Sequence, residues 1–101
     1  MVWDIGQAMR RKEEFESARL LDFAFRLRAR TAGRFAAELG WDRTDLVART
    51  VRQDQPALLE AVADRTGRPA AELERLWMRL EAQARVELIA EIGDPTPNRL
   101  A

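Results

Sequence analysis

Residues 4–40 read DIGQAMRRKEEFESARLLDFAFRLRARTAGRFAAELG. No proline interrupts the helical pattern from Asp4 to Leu39, and just two glycines, Gly6 and Gly33, weaken it. A helix of that length spans roughly 50 Å at 1.5 Å per residue. That is longer than a domain of this size is wide. From Leu20 onward, Leu20, Leu21, Phe23, Ala24, Phe25 and Leu27 place apolar surface around most of the helix, the pattern of a centrally buried segment. Arg26, Arg28, Arg30 and Arg34 then return the chain to a surface, and Gly33 is expected to kink the helix or to split off a short second one.

The amino-terminal third of the stretch differs. Asp4 is placed to cap the helix, with Gln7 completing a capping box. From Gln7 to Ser17 the large apolar residues are Met9 and Phe15 alone. Arg10–Glu14 and Lys12–Glu16 have the spacing of surface ion pairs, in the less favourable cation-first order. Three cations near the start oppose the helix dipole. These features describe a helix that forms weakly by itself.

Downstream, Gly40 stands where a left-handed cap belongs, and Trp41 is placed to fold back on the helix it leaves. Asp42 is expected to cap a second helix, Arg43 to about Gln53, burying Leu46, Val47 and Val51. Pro56 suits the first turn of a third helix, through Leu58, Leu59 and Val62 to about Thr66, ended by Gly67. Pro69 opens a last helix that runs to Ile92 and stops at Gly93. Its main stripe is Leu73, Leu76, Trp77, Leu80, Ala84, Leu88 and Ile92. Burial of the six large members contributes on the order of 10 kcal/mol before entropy. A second stripe, Met78, Ala82, Val86 and Ile89, lies on roughly the opposite side. It reads as packing on two sides in a small bundle, or as a docking face for a partner or a second copy. The expected fold is therefore all-α: a small four-helix bundle with a long first helix and short helix–Gly–helix corners. Residues 1–93 are expected to form one helical domain, with 1–18 a mobile or partner-binding arm and 19–93 the bundle core. Residues 94–101 form a frayed tail.

The chain has 101 residues, 47% of them hydrophobic and 34% charged, enough apolar content for one folded domain. It contains neither cysteine nor histidine. That removes disulfides, zinc–thiolate sites, thiol nucleophiles and the commonest general base. No leader pattern and no apolar run of membrane-spanning length is present, so the expected location is the cytoplasm. Residues 1–53 carry 11 Lys/Arg against 8 Asp/Glu, and residues 54–101 carry 6 against 9. This is a mild charge dipole, weaker than the basic footprint of most nucleic-acid-binding domains.

There is no glycine-rich phosphate loop, no ligand pattern of paired acids and no serine-centred elbow. Glu72, Glu74, Glu81, Glu87 and Glu91 read as the wet side of the last helix. The expectation is a non-enzyme without cofactor or metal. The corners at Ala36–Gly40 and Ala63–Gly67 have helix-turn-helix spacing, which short bundle corners share. Each is followed by acids, Asp42 and Asp45 in one case and Glu72 and Glu74 in the other, where a DNA reader needs donors. A nucleic-acid surface, if formed, would use Arg26, Arg28, Arg30, Arg34, Arg49 and Arg52. Trp41 and Trp77 read as core anchors. Trp3, with Val2 and Ile5, is placed to staple the arm to the bundle or to enter a partner.

The order of features resembles the small helical zeta subunits, inhibitors of the F-type ATP synthase in alphaproteobacteria. The likeness rests on a charged arm with a Phe-Glu step, Arg11-Lys12-Glu13-Glu14-Phe15-Glu16, and on the stretch Gly33-Arg34-Phe35-Ala36-Ala37-Glu38-Leu39-Gly40. It extends to Val51-Arg52-Gln53-Asp54 and to Glu72-Leu73-Glu74-Arg75 followed by Leu80, Ala82 and Ala84. The resemblance implies a four-helix regulatory protein whose arm inserts into the catalytic head of the ATP synthase and blocks rotation in the hydrolysis direction. By that analogy the partner-binding residues are Val2, Trp3, Ile5, Met9, Arg10, Arg11, Lys12, Phe15 and Glu16. A homo-oligomer remains compatible with the same sequence.

Overall fold

The computed structural model describes residues 5–96, with side chains from 14 onward. Four helices follow one another: α1 (Ile5–Leu39), α2 (Arg43–Arg52), α3 (Gln55–Thr66) and α4 (Ala70–Ile92). The fold is all-α, with the long first helix packed on the last. α1 also packs on α2, and α3 packs on α4 and α2.

The helix ends follow from local chemistry. Gly40 takes φ 66°, and the Trp41 amide donates to the Ala36 carbonyl at 2.8 Å. This satisfies a terminal carbonyl of α1 and aims Trp41 back toward the core. Asp42 caps α2 by accepting the Asp45 amide at 2.8 Å. Asp54 caps α3 in the same way, accepting from Ala57 at 2.9 Å. Gly67 closes α3 at φ 72°, and Gly93 closes α4. The expected cap Asp4 lies outside the described residues, as do the side chain of Gln7 and the cations of the two expected arm ion pairs.

Gly33 neither kinks nor divides α1, which is continuous from Ile5 to Leu39. The Arg43 guanidinium lies over the Gly33 Cα, where a Cβ would come within 3.0 Å of its Nε. Tertiary cover at this point offsets the weak helix propensity of glycine. The tail begins in a defined way: the Asp94 carboxylate accepts the Thr96 amide at 2.8 Å, and Arg19 donates to the Asp94 carbonyl at 2.9 Å. Residues 97–101 lie outside the described residues.

The core has two parts. The larger joins all four helices through Ala32, Phe35, Leu46, Leu58, Val62, Leu73 and Trp77, with Trp41 and Leu76 at its edge. Phe35 and Trp77 meet edge to face, ring centroids 5.2 Å apart. The smaller lies between α1 and α4 alone, where Phe23 and Leu27 pack on Ala84 and Leu88.

That second layer corrects the reading of residues 20–27 as centrally buried. Phe23 and Leu27 are buried, but Leu20, Leu21, Ala24 and Phe25 are exposed. One neighbouring helix covers one side of this segment and no more. Similarly, Val51 is 69% exposed, because the buried line of α2 runs through Leu46 and Thr50. Ile92, expected in the main stripe of α4, is 46% exposed. Of its second stripe, Met78, Ala82 and Val86 are exposed while Ile89 packs partly against the smaller core. The two-sided packing expected of α4 is not formed.

Candidate functional site

The partner-binding residues expected in the arm fall into three groups. Val2 and Trp3 lie outside the described residues. Ile5, Met9, Arg10, Arg11 and Lys12 belong to α1 by backbone, with side chains outside the described residues. Phe15 and Glu16 are fully described: Phe15 is 70% exposed and Glu16 half-buried. They stand about one helical turn to the amino-terminal side of Arg19, whose guanidinium reaches Asp94 just beyond the end of α4. Helix α1 begins fourteen residues before that contact, so about 21 Å of it runs on past the end of its neighbour.

Most of the arginines singled out as a nucleic-acid surface are engaged by the protein itself. Arg30 makes a two-pronged pair with Glu91, at 2.6 and 3.0 Å. Arg34 pairs likewise with Glu87, one bond measuring 2.7 Å. Arg26 pairs with Asp22 at 2.9 Å, and Arg49 with Asp45 at 3.0 Å. Arg28 is part-buried and donates to the Gln53 carbonyl at 2.8 Å, tying α1 to the junction of α2 and α3. Arg52 is exposed at the end of α2. Hydrogen bonding to Arg34 and Arg30 holds the Glu87 and Glu91 carboxyls below their ordinary range and raises both guanidinium values further. The Arg30–Glu91 and Arg34–Glu87 pairs staple one turn of α1 to α4.

Asp45, placed in the sequence where a DNA reader would want a donor, has a structural task. Its Oδ2 accepts from the Trp41 indole at 2.7 Å and from Arg49 at 3.0 Å. The Trp41 bond is the larger cause holding its carboxyl below the usual range, with Arg49 second. Arg65 lies 4.6 Å and Arg49 5.6 Å from the Trp41 ring centroid. Trp41 is thus fixed as a half-buried corner post by an acid and two cations.

A feature the sequence reading missed lies where α1 and α2 diverge. Phe25, Ala29, Val47 and Val51 line two adjoining open grooves of about 650 and 450 Å³, the larger also lined by Leu88 and Ile92 of α4. Phe25 is 63% exposed. The signal was present: Val51 stands five residues after Leu46, hence well off the buried line that Leu46 and Thr50 define.

Among the described residues no group of three or more His, Cys, Asp or Glu is arranged to hold a metal, and no helix is long and apolar enough to cross a membrane. Together the elements define a compact all-α four-helix protein with a projecting first helix and apolar surface concentrated on its outer side. No family model matches the chain, and neither does any curated protein or solved structure.

Proposed function

We propose that this protein is a non-catalytic regulator that acts by inserting its amino-terminal helical arm, residues 1–18, into a protein partner. The resemblance of its sequence to zeta-type inhibitors makes that partner the catalytic head of an F-type ATP synthase. The observation that carries the reading is the projection of α1 beyond the end of α4 with Phe15 exposed on it. A helix with an unburied aromatic and a strongly charged sequence gains its apolar and ionic partners at an interface between subunits. It blocks rotation as a wedge, with no bond made or broken. Arg11, Lys12, Phe15 and Glu16 are the residues on which the proposal rests most heavily.

The test is ATP hydrolysis by the cognate enzyme with a micromolar excess of the protein. Full-length protein is expected to inhibit; a chain lacking residues 1–18 is expected to stay folded and lose inhibition. Unchanged hydrolysis with the full-length chain rejects the proposal. The nucleic-acid alternative has less support, since Arg26, Arg30, Arg34 and Arg49 already face carboxylates of this chain. Salt-sensitive DNA binding in a gel shift would restore it.

A further inference from the structure

The two parts of the core do not form one continuous packing. Ala32, Phe35 and Ala36 of α1 join Leu73, Trp77 and Leu80 of α4 in the larger cluster. Phe23 and Leu27 of α1 form the smaller one with Ala84 and Leu88 of α4. What lies between them is polar. On α1 the step from Leu27 to Ala32 passes Arg28 and the fully buried Thr31. On α4 the step from Leu80 to Ala84 passes Glu81. Arg28, Thr31, Glu81 and Arg85 line a recess of about 230 Å³ beside Trp77 at this level. The Arg28 guanidinium turns to the Gln53 carbonyl, and its Nε and the Gln53 Oε1 are buried without a hydrogen-bond partner among the described residues. A junction of polar groups and unfilled volume transmits little packing from one side to the other. Beyond it, few contacts hold α4. Ala84 and Leu88 are the buried side chains, with Ile89 partly covered. Arg34 and Arg30 reach Glu87 and Glu91, whose carboxylates stay about half exposed. Arg19 holds the Asp94 carbonyl. Ion pairs so open to water are weak, and salt weakens them further.

We propose that the end of α4, from Ala84 to Ile92, is a cover that lifts off α1 as a unit while the four-helix body stays folded. Lifting it gives up the smaller cluster, the two ion pairs and the Arg19 contact. The larger cluster, with Leu46, Leu58 and Val62 from α2 and α3, keeps its packing. An opening confined to few buried apolar contacts and exposed polar ones requires less free energy than unfolding of the whole. Its consequence falls on α1. Leu20, Leu21 and Phe25 are exposed in the closed form, and Phe23 and Leu27 are 4% and 5% exposed under the cover. Once the cover lifts, the segment from Leu20 to Leu27 presents apolar side chains all round, on a helix still anchored to the body through Ala32 and Phe35. The two ion pairs act as the latch, because Arg30 and Arg34 stand at and beyond the junction while Glu87 and Glu91 belong to the cover. The inference does not depend on the ATP synthase reading.

Amide hydrogen exchange of the full chain in urea, below the unfolding midpoint, tests it. The amides of Phe23–Leu27 and of Ala84–Ile92 should exchange through one shared opening, populated roughly a hundredfold more than the global unfolding that exposes Phe35, Leu46 and Trp77. Its urea dependence should be the smaller of the two, since less surface is exposed. Leu88→Ala, and separately Glu87→Gln/Glu91→Gln, should each speed exchange of the outer amides, the first by roughly tenfold or more. Val62→Ala weakens only the body, whose packing survives the opening. It should speed exchange at Phe35, Leu46 and Trp77 and leave the outer amides unchanged. A single opening with one urea dependence for all these amides overturns the proposal. So does a Val62→Ala variant in which outer and body amides accelerate alike. Protection at Phe23–Leu27 equal to that of the body, with Ala84–Ile92 exchanging alone, overturns it as well.

Discussion

Phe35 is fully buried where the four helices meet and packs edge-on against Trp77. Phe35→Ala removes that contact and leaves a cavity at a site walled by four elements, which limits collapse. The expected loss is about 3–5 kcal/mol in chemical denaturation, with no change in helix boundaries. Gly33 makes the opposite prediction. A methyl group there meets nothing closer than the Arg43 guanidinium, the end of a flexible and exposed side chain that can swing aside. Gly33→Ala should therefore stabilise the protein by about 0.5–1 kcal/mol, read as a rise in melting temperature. The sequence marked Gly33 as a weak point, as an isolated helix would have it. Cover by α2 is what that reading lacked. Thr31 and Thr50 escaped notice as core residues for a related reason. Their hydroxyls are satisfied within the helix, donating to Leu27 at 2.7 Å and to Val47 at 2.6 Å, so burial leaves no polar group unpaired.

At the level of elements, α1 and α4 are joined by an apolar layer two residues deep on each side and by the pairs Arg30–Glu91 and Arg34–Glu87. Both carboxyls titrate below their ordinary 4.5 because an arginine hydrogen-bonds the charged form. A carboxyl whose folded-state value is depressed stabilises fully above its unfolded value, and that stabilisation disappears as pH falls through the folded value. The melting temperature should accordingly be flat from neutral pH down to about pH 5 and fall below it. The double variant Glu87→Gln/Glu91→Gln should be less stable at neutral pH and show a shallower acid limb. An acid limb identical to that of the parent would mean that other carboxyls control it. The sequence identified Glu87 and Glu91 as surface acids on α4 and Arg30 and Arg34 as surface cations on α1. Nothing local to either helix links residues more than fifty positions apart.

The whole molecule is a short four-helix body with one helix running well past it, in keeping with principal dimensions of 65 × 26 × 22 Å. Its main core draws on α1 only from Ala32 onward. Removal of residues 1–18 should therefore leave the melting transition of the body within about 4 °C of the parent. A cooperative loss of structure on truncation would place the arm in the body instead. What the sequence determined by itself was the set of helices and their ends. Asp42, Gly40, Gly67 and Gly93 act within a turn or two of chain, through hydrogen bonds and backbone angles that need no distant partner. The shortage of large apolar side chains between Gln7 and Ser17 is a property of the sequence as well. What the tertiary structure alone decided was which side of an apolar helix is covered. Leu20 to Leu27 present apolar groups nearly all round, so periodicity cannot choose among their faces. The choice falls to the position of α4, which buries Phe23 and Leu27 and leaves Leu21 and Phe25 outside. Hydrophobic burial is non-directional: the sequence supplies the apolar surface, and the arrangement of the other helices determines how much of it remains for something else to cover.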